Sequence, residues 1–196
     1  MKIIESLEKR RSYYDIDKEV GVLKDKIVEM IKSLTELVPD AFNMKSSRVV
    51  VLFDKKHELL WDEIYSIFNG AIPRDKINSF KSGFGTILYF YDENTVKSLQ
   101  DKYNLYASNF PIWANQASAM LQLSIWSGLR ECGIGASLQH YNPVIDERVK
   151  EVFNIPKNYK LIAQMPFGGI KSEPDKKEKE NIYVCVSVSY THLTLP

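Results

Sequence analysis

The sequence predicts an α+β fold, and three observations support that prediction. Three apolar runs, "RVVVLF", "GTILYFYD" and "YKLIAQMPFGG", have the composition of buried strands. Helical periodicity fills the long stretches between them, so the order of elements is not a regular βαβ array. The 196 residues, 44% of them hydrophobic, suit one domain around one core. We expect that domain to cover residues 1–181, with an atypical segment over 182–196.

The first part of the chain predicts two helices on either side of a basic and aromatic segment. Ile3, Ile4 and Leu7 share one face of a first helix, which should end near the double arginine of "EKRRSYYDID". Asp17 is a candidate N-cap for a second helix, because its carboxylate can accept a hydrogen bond from a free backbone N–H. The second helix should end before Pro39, where the helical spacing of apolar residues stops.

Beyond Pro39 the pattern predicts a strand, a helix, a second strand and another helix. "RVVVLF" contains the strand Val49–Phe53, and "KKHELLWDEIYSIF" returns to helical spacing. An irregular stretch around Pro73 leads into "GTILYFYD", the second strand. A helix should follow over residues 94–107.

The most apolar segment runs from Pro111 to Gly133 and predicts a helix that is buried on most sides. Proline suits a first helical turn and glycine suits a helix stop. Apolar residues occur nearly all the way round, so the helix should be central and could be shared with a partner subunit. The turn-rich "GIGASLQHYNP", a short helix over "DERVKEVFN" and the third strand follow. "KSEPDKKEKEN" predicts a solvated linker, and "IYVCVSVSY" alternates as a strand does.

Charge and cysteine content exclude several classes of partner and site. The 26 basic and 25 acidic residues give a formal net charge of +1, whereas general binders of nucleic acid or anionic membranes need a strong positive field. No apolar run is long enough to span a membrane, and the N-terminus does not resemble a signal peptide. Cys132 and Cys185 form no disulfide framework, which indicates a reducing, cytoplasmic setting. Cys132 should be a buried structural thiol.

No motif of metal-dependent or nucleophilic catalysis is present. His57, His140 and His192 form no ligand pair, so we expect no metal site. The sequence contains no nucleophile elbow, no Walker A motif and no dinucleotide-binding glycine fingerprint. If the chain is an enzyme, a cofactor should carry its chemistry.

Three polar segments are candidates for binding a cofactor, and each has a structural alternative. The arginines and serine of "KRRSYY" could hold a phosphate through a guanidinium fork, or could stabilise the C-terminus of a helix. The polar side chains of "AFNMKSSR" could surround a heterocycle, or could form a turn and a cap. The glycines of "GIGASLQHYNP" let the backbone approach a ligand, although such glycines are common in turns.

Taken in order, these segments resemble the FMN-dependent nitroreductase family, and in particular the short nitroreductase-like proteins related to the fungal fatty-acid-repression protein. The matching strings are "RRSYY", "PDAFNMKSSRVVVL", "GFGTILYF", "WANQASAMLQLSIWSGLRECGIGASLQHYNP" and "MPFGG", over roughly residues 3–170. The resemblance implies a central, mainly antiparallel sheet flanked by helices. It also implies an interlocked homodimer with two FMN sites at the subunit interface.

The resemblance further implies which residues form the site. The cofactor-binding candidates are Arg10, Arg11, Ser12, Asn43, Lys45, Ser46, Leu138, Gln139 and His140. The first three match the family's anchor for the phosphate and ribityl chain, and the next three reach the ring and ribityl chain from the partner subunit. The last three match the loop against the isoalloxazine, where a backbone N–H lies near flavin N5. Aromatic side chains that could stack on substrate, or equally pack at the interface, are Phe42, Phe84, Tyr106, Phe110 and Trp113.

The activity that the resemblance implies is that of an NAD(P)H-dependent flavin oxidoreductase. NAD(P)H would deliver hydride to flavin N5, leave, and be replaced in the same pocket by a small electron acceptor such as a nitroaromatic or a quinone, in a ping-pong scheme. A non-catalytic flavin-binding regulator or flavin-storage protein would need the same contacts. A small nucleic-acid-binding domain that uses "KRRSYY" is the third alternative, and the balanced charge argues against it.

Two positions depart from the family's pattern. Many relatives have glutamine where this chain has Lys45, whose ammonium could stabilise an anionic reduced flavin or could point to solvent. Relatives usually finish with a basic residue that adds a cation to the phosphate site, whereas the corresponding position here lies near Asn181. The last dozen or so residues resemble no relative, and we expect them to come from cloning or sequencing read-through. Without that cation, FMN should bind less tightly.

Overall fold

The computed structural model describes residues 2–176 and 178, which form one sheet with helices on both of its faces. The helices are α1 Lys2–Lys9, α2 Lys24–Leu37, α3 Asp54–Phe68, α4 Arg74–Lys81, α5 Glu93–Lys102, α6 Phe110–Glu131 and α7 Asp146–Phe153, with 3₁₀ turns at Ala41–Asn43 and Asn104–Asn109. The strands are β1 Ile16–Asp17, β2 Ser47–Phe53, β3 Gly85–Asp92, β4 Ile134–Ala136 and β5 Tyr159–Ile170. The expected strand "IYVCVSVSY" and the atypical segment 182–196 lie outside the described residues, so the bounds of the domain stay a prediction.

The sheet has the strand order β1-β5-β3-β2, and the short β4 also pairs with β5. All of these pairings are antiparallel, with Ile87 of β3 opposite Val51 of β2 and Met165 of β5. The prediction of an α+β fold with a mainly antiparallel central sheet flanked by helices is therefore confirmed.

Every residue of β3 is buried, because the central strand is covered on both faces. Ile87 and Tyr89 pack in the core formed with α2 and α6, where Ile27 and Leu121 also lie. Leu88 and Phe90 point to the opposite core, which α3, α4 and α7 complete. Because side chains alternate along a strand, a strand that is buried on both faces appears in the sequence as a continuous apolar run.

The long helix α6 is central, as the sequence predicts, but one line of apolar side chains along it is open. Ala114, Leu121 and Ile125 are fully buried. Ile112, Met120 and Leu123 are 54%, 44% and 43% exposed. The described chain therefore covers most of α6 and leaves an apolar stripe that it does not cover.

Three local predictions are wrong, and each error has a physical cause. Asp17 does not cap α2, because it lies in β1 opposite Gly169, where Oδ1 accepts the N–H of Glu19 at 2.9 Å. The irregular stretch around Pro73 does not lead into the second strand as expected, because α4 follows it, with Ile77 and Phe80 buried one turn apart. The helix expected over 94–107 is broken, since α5 ends at Lys102 and a 3₁₀ turn follows.

Two further differences occur where α6 ends. Cys132 is exposed, so the prediction of a buried structural thiol is wrong. The helix stops at Glu131, and Cys132 lies in the turn that carries the chain past the edge of the core. The turn-rich segment after it contains a strand, β4, whose Gly135 lies opposite Gly168 of β5.

His57 is the buried ionisable side chain of the core between the sheet and α3. Its Nδ1 lies 2.8 Å from Oγ1 of Thr86, and its Nε2 lies 3.2 Å from the carbonyl of Lys81. A carbonyl can only accept, so we assign the proton to Nε2, and Nδ1 accepts from the hydroxyl of Thr86. Trp61 donates its Nε1–H to the same hydroxyl at 2.9 Å. Burial lowers the pKa of His57 to about 4, so the imidazole is neutral near pH 7.

Candidate functional site

Two of the predicted segments meet beside the C-terminal half of α6. Arg10 directly follows α1, and its guanidinium carbon lies 4.2 Å from the ring centroid of Trp126. Two residues further on, Ser12 forms a parallel bridge with Ala136 of β4, and the N–H of Tyr13 donates to the carbonyl of Ala136 at 3.0 Å. The fold therefore brings "RRS" next to the beginning of the "ASLQH" loop.

Arg10 and Arg11 have different surroundings. Nε of Arg10 is buried, and among residues 2–176 and 178 no hydrogen-bond acceptor lies within reach of it. Burial, and then the positive charge of Arg11, lower the pKa of the Arg10 guanidinium, which stays cationic at neutral pH. Arg11 instead donates to the carbonyl of Asp175 at 2.5 Å. Arg10 is thus a partly buried cation without an acidic partner in the described chain, as an anion site requires.

The loop after β4 presents alternate backbone N–H groups to the two sides of the chain. The N–H of Ser137 donates to the carbonyl of Pro166 at 3.2 Å. Gln139 and Gln164 exchange backbone hydrogen bonds of 2.7 and 2.9 Å. Within the described ranges the N–H groups of Leu138 and His140 have no acceptor, and they point away from the sheet edge because N–H directions alternate in extended chain. Leu138 is half-buried and His140 is exposed.

The loop between α2 and β2 holds the second group of predicted residues. Ser46 is fully buried, and both its N–H and its hydroxyl donate to Oδ2 of Asp40 at 2.9 Å. Lys45 is exposed, and its ammonium donates to the carbonyl of Glu36 at 2.8 Å, in the last turn of α2. Asn43 is exposed next to them. The fold gives Ser46 and Lys45 local partners, and it leaves the side chain of Asn43 open.

Arg48 fixes the C-terminal end of this loop. Its Nη1 donates to the carbonyl of Lys45 at 2.7 Å, and its Nη2 pairs with Oδ2 of Asp92 at 3.0 Å. The other oxygen of Asp92 accepts the N–H of Asn94 at the start of α5. The loop is therefore attached to β3 and α5 through a charged pair.

Four of the five predicted aromatic side chains form one cluster at the N-terminal end of α6. The ring of Phe42 lies 5.6 Å from Trp113 in a stacked arrangement and 5.3 Å from Phe110 at a steep angle. Tyr106 lies 6.0 Å from Phe42, and Tyr103, which is not among the aromatic residues predicted from the sequence, lies 4.9 Å from Phe42.

Phe42 adopts a left-handed backbone conformation with φ of 55°. Such a conformation costs a bulky residue about 1–3 kcal/mol. Packing against four rings offsets that cost, although the side chain stays 49% exposed. The contacts therefore hold an aromatic surface open to solvent.

Phe84, the fifth predicted aromatic residue, lies elsewhere. Its ring packs 5.7 Å from Phe53 and 6.2 Å from Phe167, with the ammonium of Lys24 5.7 Å from its centroid. Its backbone N–H donates to the carbonyl of Phe167 at 2.8 Å. Phe84 thus packs where β3 begins and does not belong to the Phe42 cluster.

The two groups of predicted residues lie at opposite ends of α6. The Phe42 cluster includes Trp113, and Arg10 contacts Trp126. Thirteen residues separate the two tryptophans, which corresponds to about 20 Å along the helix axis. One chain therefore presents two separate groups of candidate residues, which are called the Arg10 half-site and the Phe42 half-site below, and each has its own surroundings.

A cavity of about 480 Å³ lies between α2, the loop before β2, and α6. Its floor is apolar, with Ile31, Val49 and Leu121, and Glu36 and Lys45 lie at its rim. No local pattern in the sequence predicts this cavity, because its floor residues come from three separate elements whose apolar positions also fit ordinary core packing.

Sequence reasoning also missed a network that ties the N-terminal segment to the chain after β5. The hydroxyl of Tyr13 donates to Oε2 of Glu173 at 2.9 Å and accepts from Nε of Arg130 at 3.1 Å. Oδ2 of Asp15 accepts from the hydroxyl of Ser172 at 2.8 Å. The sequence predicts Tyr13 as part of a candidate phosphate segment, Arg130 as a helix position and Glu173 as a linker position, and no local pattern links segments so far apart.

The described part of the chain shows neither a metal centre nor a membrane span. Within residues 2–176 and 178, no group of three His, Cys, Asp or Glu side chains is placed to hold a metal ion. No helix among them is both long and apolar enough to cross a bilayer.

Comparison with known proteins gives matches over most of the chain. The family model described as "Nitroreductase family" matches residues 7–169. The nitroreductase FRM2 of Saccharomyces cerevisiae is 26% identical over 177 residues, which cover 89% of this chain and 91% of the relative.

Solved structures match as well. The nitroreductase CinD of Lactococcus lactis, in complex with 4-nitrophenol, is 38% identical, with a TM-score of 0.90 over 96% of this chain and all of that one. A protein from Exiguobacterium sibiricum solved in complex with FMN shares the fold, with a TM-score of 0.74, 14% identity and coverage of 95% and 96% of the two chains.

Proposed function

The chain belongs to the nitroreductase family, as the ordered sequence strings predict, and we propose that it is an FMN-dependent oxidoreductase. In this proposal NAD(P)H supplies the electrons, and a nitroaromatic, a quinone or a related small molecule accepts them. The single observation that carries the proposal is the contact between the Arg10–Ser12 segment and the loop that begins at Ala136. That contact joins the segment that carries the unpaired Arg10 cation to the loop whose Leu138 and His140 N–H groups have no acceptor among the described residues.

The residues of the Arg10 half-site offer the charge and the hydrogen-bond donors that FMN binding needs. Arg10 offers a guanidinium without an acidic partner in the described chain, and the hydroxyl of Ser12 lies two residues away, so a phosphate would find charge and hydrogen-bond donors together. The N–H groups of Leu138 and His140 are free to donate to a heterocycle. Gln139 serves the site by its backbone bonds to Gln164, which hold the loop in place.

The position of the Phe42 half-site supports a homodimer. Asn43 and the Phe42 cluster lie about 20 Å from the Arg10 end of α6, so a partner subunit is the simplest source of these groups for one flavin. The exposed apolar stripe of α6 and the exposed Ile3, Ile4 and Leu7 of α1 are the surfaces that such a partner would cover.

The flavin, when bound, supplies hydride acceptance and donation at N5, so the chain needs no general acid or base of its own. The protein's part is to bind, to orient and to exclude water. Arg10 and Ser12 would fix the phosphate end, and the Leu138 loop would fix the ring. The Phe42 cluster, with its half-exposed ring, would form an apolar wall for a planar acceptor. CinD, the relative solved with 4-nitrophenol, binds a ligand of that class.

Spectroscopy and steady-state kinetics test the proposed function. We expect the purified protein to be yellow, to release FMN on denaturation, and to oxidise NADH or NADPH when a nitroaromatic or a quinone is present. Size-exclusion chromatography with light scattering should show a dimer, and fractionation should place the protein in the cytoplasm. Bound flavin that neither nicotinamide reduces would favour the regulator or storage protein. A colourless protein that takes up no FMN would contradict the proposal.

Lys45 allows a test of whether the ammonium acts on the flavin or on the fold. Because its Nζ donates to a carbonyl in the last turn of α2, we expect Lys45→Gln to destabilise the protein by about 0.3–1 kcal/mol. We expect the flavin reduction potential to stay unchanged. Redox titration and thermal unfolding of wild type and variant measure the two effects. A potential that falls in Lys45→Gln would show instead that the ammonium stabilises the reduced flavin.

A further inference from the structure

The side chain of Trp126 connects the three parts of the Arg10 half-site. One face of its ring lies against the guanidinium of Arg10, at 4.2 Å from the centroid. Its Nε1–H donates to the carbonyl of Ala136 at 3.1 Å. The same carbonyl accepts the N–H of Tyr13 at 3.0 Å, next to the bridge between Ser12 and Ala136. One indole therefore contacts the cation directly and the neighbouring segments through a shared carbonyl.

The stacked contact determines where the guanidinium of Arg10 lies. Arg10 has no carboxylate partner in the described chain, so no ion pair holds its side chain in place. A long side chain without a partner samples many rotamers, and fixing it on binding costs entropy. An aromatic face attracts a guanidinium without using its N–H groups, which stay available for an anion.

We propose that Trp126 is a positioning residue for the flavin phosphate: it holds the guanidinium of Arg10 against its ring and so orients the N–H groups toward the anion. This inference rests on the proposed function, because the anion is the phosphate of FMN. It assigns to α6 a part in cofactor binding that goes beyond the core packing expected from the sequence.

The chain contains a matched contact that serves as a control. The guanidinium carbon of Arg74 lies 4.2 Å from the ring centroid of Tyr65, the same distance as in the Arg10–Trp126 pair. Tyr65 belongs to α3 and Arg74 begins α4, so this pair lies outside the half-site. Tyr65→Leu therefore removes an equivalent stack without touching the proposed phosphate anchor.

Flavin titration of Trp126 variants tests the proposal, with FMN and riboflavin as probes. Riboflavin has the same ring and ribityl chain and no phosphate. We expect Trp126→Leu to raise the Kd for FMN about five- to tenfold and to change the Kd for riboflavin less than about twofold. Trp126→Phe, which keeps a ring face, should stay within about threefold of wild type for FMN. Tyr65→Leu should bind both flavins as wild type does.

A double-mutant cycle shows whether Trp126 acts through Arg10. In an Arg10→Ala background, Trp126→Leu should change the Kd for FMN by less than about twofold, because the guanidinium that the ring positions is gone. Circular dichroism verifies that each variant is folded. If Trp126→Leu does not fold, Trp126→Met takes its place, since methionine fills much of the volume without a ring.

Three results would contradict the inference. An unchanged Kd for FMN in the folded leucine or methionine variant would overturn it. Equal losses for FMN and riboflavin would show that Trp126 only packs the site. Additive effects in the cycle would show that it does not act through Arg10. If the wild-type protein binds neither flavin, the proposed function itself fails, and that failure is visible before any variant is made.

Discussion

Replacing Arg10 with alanine should raise the Kd for FMN by about 10- to 100-fold, because a hydrogen bond to a charged group contributes about 1.5–3 kcal/mol. Arg10 is the guanidinium whose buried Nε has no acceptor in the described chain, whereas Arg11 already donates to the carbonyl of Asp175. Fluorescence titration with FMN measures this change in Kd.

The control for Arg10→Ala is Arg74→Ala, which removes a guanidinium stacked on an aromatic ring at the same distance. We expect Arg74→Ala to bind FMN with wild-type affinity. Arg11→Ala should weaken FMN binding less than Arg10→Ala does. An Arg10→Ala protein that is purified with a full complement of flavin would show that the phosphate is bound elsewhere.

The stability of the protein should fall by about 3 kcal/mol as the pH decreases from about 6.5 to about 4, because of His57 alone. Its pKa in the fold is about 4, below the ordinary value of 6.5. Between these values the unfolded chain binds the proton and the folded chain does not, so protonation favours unfolding. The stability that the neutral His57 contributes is fully present above pH 6.5 and is lost as the pH falls toward 4.

Urea unfolding at several pH values, with protein and flavin concentrations held fixed, measures this dependence for wild type and His57→Gln. The hydrogen bond from Arg148 lowers the pKa of Glu63, so protonation of Glu63 and of similar carboxylates also destabilises the fold in acid. This effect is the same in wild type and His57→Gln. The difference between the two proteins isolates His57. At pH 7 the variant should be less stable, because the bonds to Thr86 and Lys81 change. Identical pH slopes would mean that burial does not lower the pKa of His57 in the fold.

The sequence determined those features that depend on neighbouring residues. The strands β2, β3 and β5 were predictable because each is a continuous apolar run, which burial on both faces requires for β3, and α6 was predictable because its apolar positions extend over many turns. Family strings such as "NMKSSR" predicted the segments of the candidate site, since a short string is a local feature of the sequence. Local signals failed at Asp17, where pairing with β5 takes precedence over capping, and at α4, a helix that starts directly after Pro73 and that the apolar pattern does not predict.

Only the tertiary structure decided how these segments meet. The stacking of Arg10 on Trp126 joins residues 116 positions apart, and no periodic pattern connects them. The separation of the Phe42 cluster from Phe84, and of both half-sites along α6, likewise follows from how helices pack on the sheet. Periodicity and composition determine which face of an element is buried. The element that covers that face depends on packing between distant parts of the chain, so the site's geometry could be obtained only from the fold.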